Sequence, residues 1–157
     1  AAAHAAVMKR VDAYMFPCPK CGNAAGQVQS QLSYFSEHKV NVDTLWLDIE
    51  GSQYWTGSYS GNKAFYQELV DEAKKLGLKT GVYSSASQWS AIFGSLSYSH
   101  GADLPIWYPH YDGIPELSDF SSFGGWRSPY MKQFTDKGAK CGVSYDINFR
   151  AAGPGEL

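Results

Sequence analysis

The chain has 157 residues, 44% of them apolar and 18% charged, which is enough chain and enough apolar side chain for one folded domain with its own core. A net charge of −2 gives no electrostatic reason to bind a polyanion, so nucleic acid is not expected as a partner. The longest apolar runs are too short to span a bilayer, and AAAHAAVMKR lacks the apolar stretch of a signal peptide, so no membrane partner is expected either.

In chain order, apolar runs predict strands over 11–16, 44–49, 79–83, 104–108 and 140–145, with a weaker one near 131–134. Helical spacing falls between them. Val28, Leu32 and Phe35 share one face behind a cap at Asn23. Phe65, Leu69, Ala73 and Leu76 share another, with Asn62 as its cap and Gly77 as its stop. A shorter helix is expected over 88–93. Regular structure thins toward the C-terminus, where Gly, Ser and Pro are frequent. Strands alternating with helices predict an α/β fold with a parallel sheet. An open doubly wound sheet and a barrel look alike at this level, and about six strands is few for a closed eight-stranded barrel.

Three cysteines are present, and only Cys18 and Cys21, in CPKC, are closely spaced. A zinc site would need more ligands than this chain groups together, so no metal is expected. A local disulfide is preferred over a thioredoxin-type redox pair, and an odd count leaves one thiol over.

The segment LWLDIEG is the most informative. Leu45, Trp46, Leu47 and Ile49 read as a buried strand, and Asp48 and Glu50, two apart, point to one face at its C-terminal end. Active sites of parallel α/β sheets form at that end. Two carboxylates crowded together in a poorly solvated place repel when both ionise, so one of the two pKa values must rise, and that group is suited to general acid catalysis. Asp12 lies on the preceding strand near the site, where it could add a carboxylate, but is expected to be solvent-linked or paired at the strand edge. Alone, such a pair is more often a solvated loop edge or an ion-pair partner than a catalytic site.

LWLDIEGSQYW, GVYSSASQWSAIFG, LPIWYPHYDG, FGGWRSPYMKQF and YDINF occur in the order seen in the family 25 lysozymes of the glycoside hydrolases, and VDAYMFPCPKC resembles the strand before the acidic one in eukaryotic microbial members. The resemblance covers residues 7–149. It implies an irregular (β/α) TIM-like barrel forming a single domain over 1–157. It also implies a secreted, phagosomal or lysosomal enzyme that cleaves the β-1,4 bond between N-acetylmuramic acid and N-acetylglucosamine in peptidoglycan glycan strands; separately, a monomer is expected. No cofactor is implied. Glu50 corresponds to the family's proton donor, Asp48 to its neighbouring carboxylate and Asp146 to the acid near the last strand. Tyr14, Tyr83, Trp107, Tyr108 and Gln133 correspond to cleft positions that bind substrate, against the plainer reading of packing at the mouth of a barrel. Asp146 would otherwise be a turn or capping Asp. Family members usually open with two further strands, the first carrying another Asp. Here the sequence starts in the helix ahead of the third strand, so the domain is read as N-terminally incomplete. Two other readings stand beside a muramidase: a glycan-binding homologue without catalysis, and a CxxC redox protein.

Overall fold

The structure is a computed structural model that describes residue 8 and residues 10–151; the expected helix at the start of the chain falls mainly outside them. Six strands form one sheet in sequential order: β1 (Ala13–Met15), β2 (Leu45–Asp48), β3 (Thr80–Tyr83), β4 (Ile106–Pro109), β5 (Met131–Lys140) and β6 (Val143–Phe149). The first five are parallel, and β6 returns antiparallel to β5. Helices α1 (Ala24–Glu37), α2 (Tyr59–Lys75) and α3 (Ala86–Phe93) fill the crossovers after β1, β2 and β3. Tyr14 on β1 and Asn148 on β6, at the two ends of the strand order, line one cleft, so the sheet curls into a half-barrel.

Alternation along the strands sorts the side chains into two layers. Leu45, Leu47, Val82 and Ile106 point outward to the helices and join Val28, Leu69, Val70, Ala73, Trp89 and Phe93 in the main core. At about 25 cal/mol per Å² of apolar surface, this layer supplies most of the drive to fold. Trp46, Asp48, Tyr83, Trp107 and Gln133 point the other way, into the curl. The ring of Trp46 lies against β3, and a Cβ at Gly81 would sit 2.3 Å from it, so only glycine permits this approach.

The helix ends follow local chemistry. Asn23, in the left-handed region at φ 52°, accepts from the amide of Gly26 and caps α1. Gly77, at φ 69°, follows the end of α2, as its position predicts. Asn62 is not the cap of α2. Ser58 holds that place, accepting from the amide of Gly61, and the helix starts a turn earlier. Asn62 is instead a buried residue within the helix, donating to the carbonyls of Thr56 and Ile92. The buried face of α2 accordingly runs through Asn62, Tyr66, Leu69, Val70 and Ala73, and Leu76 is partly exposed. Helix α3 begins two residues before the expected position, capped by Ser85.

The C-terminal region departs most from expectation. The strand expected over 140–145 straddles a reversal of the chain: Cys141 and Gly142, both at positive φ, turn β5 into β6. The weak strand near 131–134 is the start of the longest strand in the sheet, ten residues. Most of this hairpin beyond Phe134 is exposed on both faces, so it has no apolar alternation to read.

Candidate functional site

Glu50 owes its position to a set of backbone anchors. The Ile49 amide donates to the Tyr83 carbonyl (2.8 Å), and the Ser84 hydroxyl donates to the Ile49 carbonyl (2.7 Å). The Trp55 indole donates to the Glu50 carbonyl (3.0 Å), and the Gly51 amide donates to the Gln88 side chain (2.9 Å). Gly51 is at φ 66°, where the chain turns sharply out of the strand. The carboxyl of Glu50 is thus carried at the rim of the half-barrel on a turn tied down from both sides.

The cleft has a volume of about 300 Å³ and is lined by Tyr14, Asp48, Glu50, Tyr83, Trp107, Tyr111, Gln133, Asp146 and Asn148. Asp48, 8% exposed, keeps Oδ1 buried without a hydrogen-bond partner. Burial first, and the charge of Glu50 second, push its carboxyl up to about 7. Glu50 is also raised, by burial. Repulsion in a poorly solvated place was the expected cause, with one of the two raised, and the resemblance made Glu50 the acid. Burial dominates at both groups, and the larger rise falls on Asp48, which sits deeper.

Gln133 links the far wall. Its carbonyl oxygen accepts from Tyr83 (2.8 Å) and Tyr111 (2.6 Å), and its amide nitrogen donates to Asp146 (2.9 Å). Asp146 is therefore neither a cap nor a turn residue: it projects from β6 into the cleft. Trp107 combines the two roles weighed for it. Its ring packs edge-on against Trp46 and Tyr83, it borders the cleft, and its indole N–H is buried without a partner. Tyr14 stands at the cleft edge, 65% exposed.

Tyr108 does not join this cleft. It neighbours Trp107 on β4, so alternation sends it to the other face, where its ring packs on Phe120 and its hydroxyl donates to Asp119. Asp12 lies below the cleft, paired with Arg10 and accepting from the Trp46 indole (3.0 Å).

Sequence reasoning did not find Tyr111, Asn148 or Gln88. Tyr111 and Asn148 sit in quoted motifs, beside Trp107 and Asp146, but their contacts across the curl leave no local pattern. The second cluster was also missed. On the face opposite the cleft, Lys132, fully buried, donates to Asp112 (2.8 Å) and Asp119 (2.7 Å), and His110 pairs with Asp119. His110, Asp112 and Asp119 have the donor set of a metal site, with ligand atoms within 4.8 Å of one another. The Lys132 ammonium already supplies the positive charge there. Cys18 and Cys21 form a disulfide, and Cys141 is free and exposed at the hairpin turn.

A family profile described as "Lysozyme-like protein 1" matches residues 1–134. The chain is 50% identical over 139 residues to "Probable GH family 25 lysozyme 2" of Dictyostelium discoideum, covering 88% of this chain and 64% of that protein. It is 44% identical over 149 residues to "Probable GH family 25 lysozyme 4" of the same organism, covering 95% and 68%. The chain thus spans about two thirds of the length of these relatives. Among solved structures, the spore cortex lytic enzyme SleM of Clostridium perfringens superposes with a TM-score of 0.67 at 19% identity, over 90% of this chain and 49% of that one. That likeness shows the fold to be of the irregular α/β barrel kind.

Proposed function

The chain belongs to the family 25 lysozymes of the glycoside hydrolases, and from that premise we propose that it is a muramidase, cleaving the β-1,4 bond between N-acetylmuramic acid and N-acetylglucosamine in peptidoglycan. The observation that carries the reading is the pair of buried Asp48 and half-buried Glu50, with proton affinity raised at both groups, in an aromatic-lined cleft at the C-terminal ends of parallel strands.

Glu50 is the general acid. Its proton passes to the glycosidic oxygen as the bond from that oxygen to the sugar C1 breaks, and its carboxylate then takes a proton from the water that adds to C1. Asp48 lies beneath, with a buried oxygen free to accept a hydrogen bond from the substrate or to face the positive charge that develops on the sugar ring. Gln133 holds Asp146 toward the same space. The disulfide supports a secreted or phagosomal location, since such bonds persist in oxidising compartments.

The test is the solubilisation of purified peptidoglycan, with the new reducing ends identified by mass spectrometry. The wild-type chain is expected to release fragments ending in N-acetylmuramic acid. Glu50→Gln, nearly isosteric but without a useful proton, is expected to lose about 10²–10⁴-fold in rate while keeping its melting temperature. Binding of the glycan with no fragments from either protein would instead identify a catalytically inactive glycan-binding homologue.

A further inference from the structure

We propose that Phe16 and Tyr54 form a second sugar-binding subsite, a stacking shelf outside the cleft that takes a pyranose ring further along the glycan strand; this rests on the glycan-hydrolase reading above. The two rings meet edge to face, with centroids 5.6 Å apart. Phe16 is 44% exposed and Tyr54 54%, whereas the aromatic rings behind the sheet, such as Trp89 and Phe93, are fully buried. An edge-to-face pair at the surface leaves ring face open to solvent, and an open ring face is the complement of the C–H face of a sugar.

The location ties the pair to the reaction centre. Both rings pack over Gly51, the residue after Glu50: a Cβ there would lie 2.6 Å from Tyr54 and 3.6 Å from Phe16. Phe16 also follows Tyr14 by two residues, so cleft wall and shelf continue one another along the same run of chain. Exposed Ser52 and Gln53, in the turn that carries Tyr54, supply polar groups for sugar hydroxyls.

The shelf is braced before any ligand arrives. The Lys20 ammonium donates to the Gln53 carbonyl (2.8 Å), joining the CPKC loop to the turn of Tyr54. The Cys18–Cys21 disulfide closes that loop. From α1, the Gln27 side chain accepts from the Cys18 amide (2.9 Å) and donates to the carbonyls of Cys18 (2.9 Å) and Gly22 (2.7 Å). The CxxC motif therefore acts as a structural clasp for the loop after Phe16. Rings held in place lose little freedom on binding, so more of the contact appears as affinity.

The experiment uses the Glu50→Gln chain, which does not consume its ligand, and titration calorimetry with the hexamer and the dimer of N-acetylglucosamine. Phe16→Leu/Tyr54→Leu keeps apolar bulk over Gly51 and removes the flat faces. The expected result is a hexamer affinity weakened about ten-fold, with the preference for hexamer over dimer falling by a similar factor, as suits the loss of aromatic contact. An unchanged preference overturns the shelf. So does a parallel loss for both oligomers with a lowered melting temperature, which would make the pair a brace for the Gly51 turn. If the Glu50→Gln chain binds neither oligomer, the shelf falls as well. Release of fragments from cell walls by the wild-type chain then separates that failure from a failure of the muramidase reading.

Discussion

On the concave face of the sheet Asp48 keeps a buried oxygen without a partner, whereas on the opposite face Asp112 and Asp119 share the ammonium of Lys132. Both clusters are carboxylates held against the sheet, and they titrate in opposite directions. Burial drives Asp48 up to about 7. Burial also works against the ionised form of Asp119, but hydrogen bonds from Lys132, Tyr108 and His110 outweigh it and hold that carboxyl well below its usual range. Asp112 is lowered too, chiefly by its hydrogen bond from Lys132. A saturated network fixes structure; a desolvated carboxyl short of partners favours its protonated form and suits proton chemistry. The two clusters meet on β5, where Lys132 points to one face and its neighbour Gln133 to the other. The segment carrying Tyr111 is fastened to both, by Asp112 on one side and by the Tyr111 hydroxyl on the other.

Lys132→Ala tests the paired side most severely. Removing the fully buried lysine loses the packing of its stem and takes the shared cation from Asp119 and the exposed Asp112; the lost packing alone is expected to cost about 2–4 kcal/mol, seen as a lower denaturation midpoint in urea. A loss under about 1 kcal/mol would mean that both carboxylates reach solvent without it, as exposed ion pairs do.

Asp48→Asn is expected to act with the opposite sign. The folded chain holds the Asp48 proton up to about pH 7, whereas the unfolded chain releases it near 3.8. Between those values the folded state binds more protons, so stability falls as pH rises, and the full cost is present above 7. The Asn variant lacks this slope. It is expected to match the wild type at pH 3 and to gain about 2–4 kcal/mol at pH 8, at about 1.4 kcal/mol for each decade of proton affinity. Hydrolysis should fall at the same time, a stabilised site being a weaker catalyst. Equal slopes of melting temperature against pH in the two proteins would remove Asp48 as the seat of the raised affinity.

The smallest effect belongs to the link between the faces. Tyr111→Phe deletes one hydrogen bond to Gln133, worth about 0.5–1.5 kcal/mol, and is expected to slow hydrolysis about three- to ten-fold with little change in melting temperature. If Lys132→Ala is stable enough to assay, the two substitutions should be non-additive in kcat/KM, because the first already frees the segment that the second loosens. Full additivity would show that the two faces are independent.

Much of the molecule was legible because its cause is local. The alternation in LWLDIEG is a property of any strand, and it put Asp48 and Glu50 on one face before any neighbour was known. Asn23 acts through a side chain bonded three residues on, Gly77 through its own backbone, and Cys18 and Cys21 are close in sequence because their loop is tight. The same alternation was available for Trp107 and Tyr108, which as adjacent strand residues cannot both face the cleft; assigning both there set resemblance above geometry. Asn62 was misplaced because Asn is a favourable cap in isolation, while the buried carbonyl of Ile92 that it satisfies lies thirty residues away.

Sequence alone determined the α/β order of elements, the parallel strands, the acidic pair and the side to which it points, since these follow from periods of two and 3.6 and from turn chemistry along the chain. Tertiary structure decided which acid holds its proton, which tyrosine reaches Gln133, and why a lysine can be buried at position 132. Those outcomes depend on desolvation and on partners 13 to 50 residues apart in the chain, and neither exists until the sheet has curled.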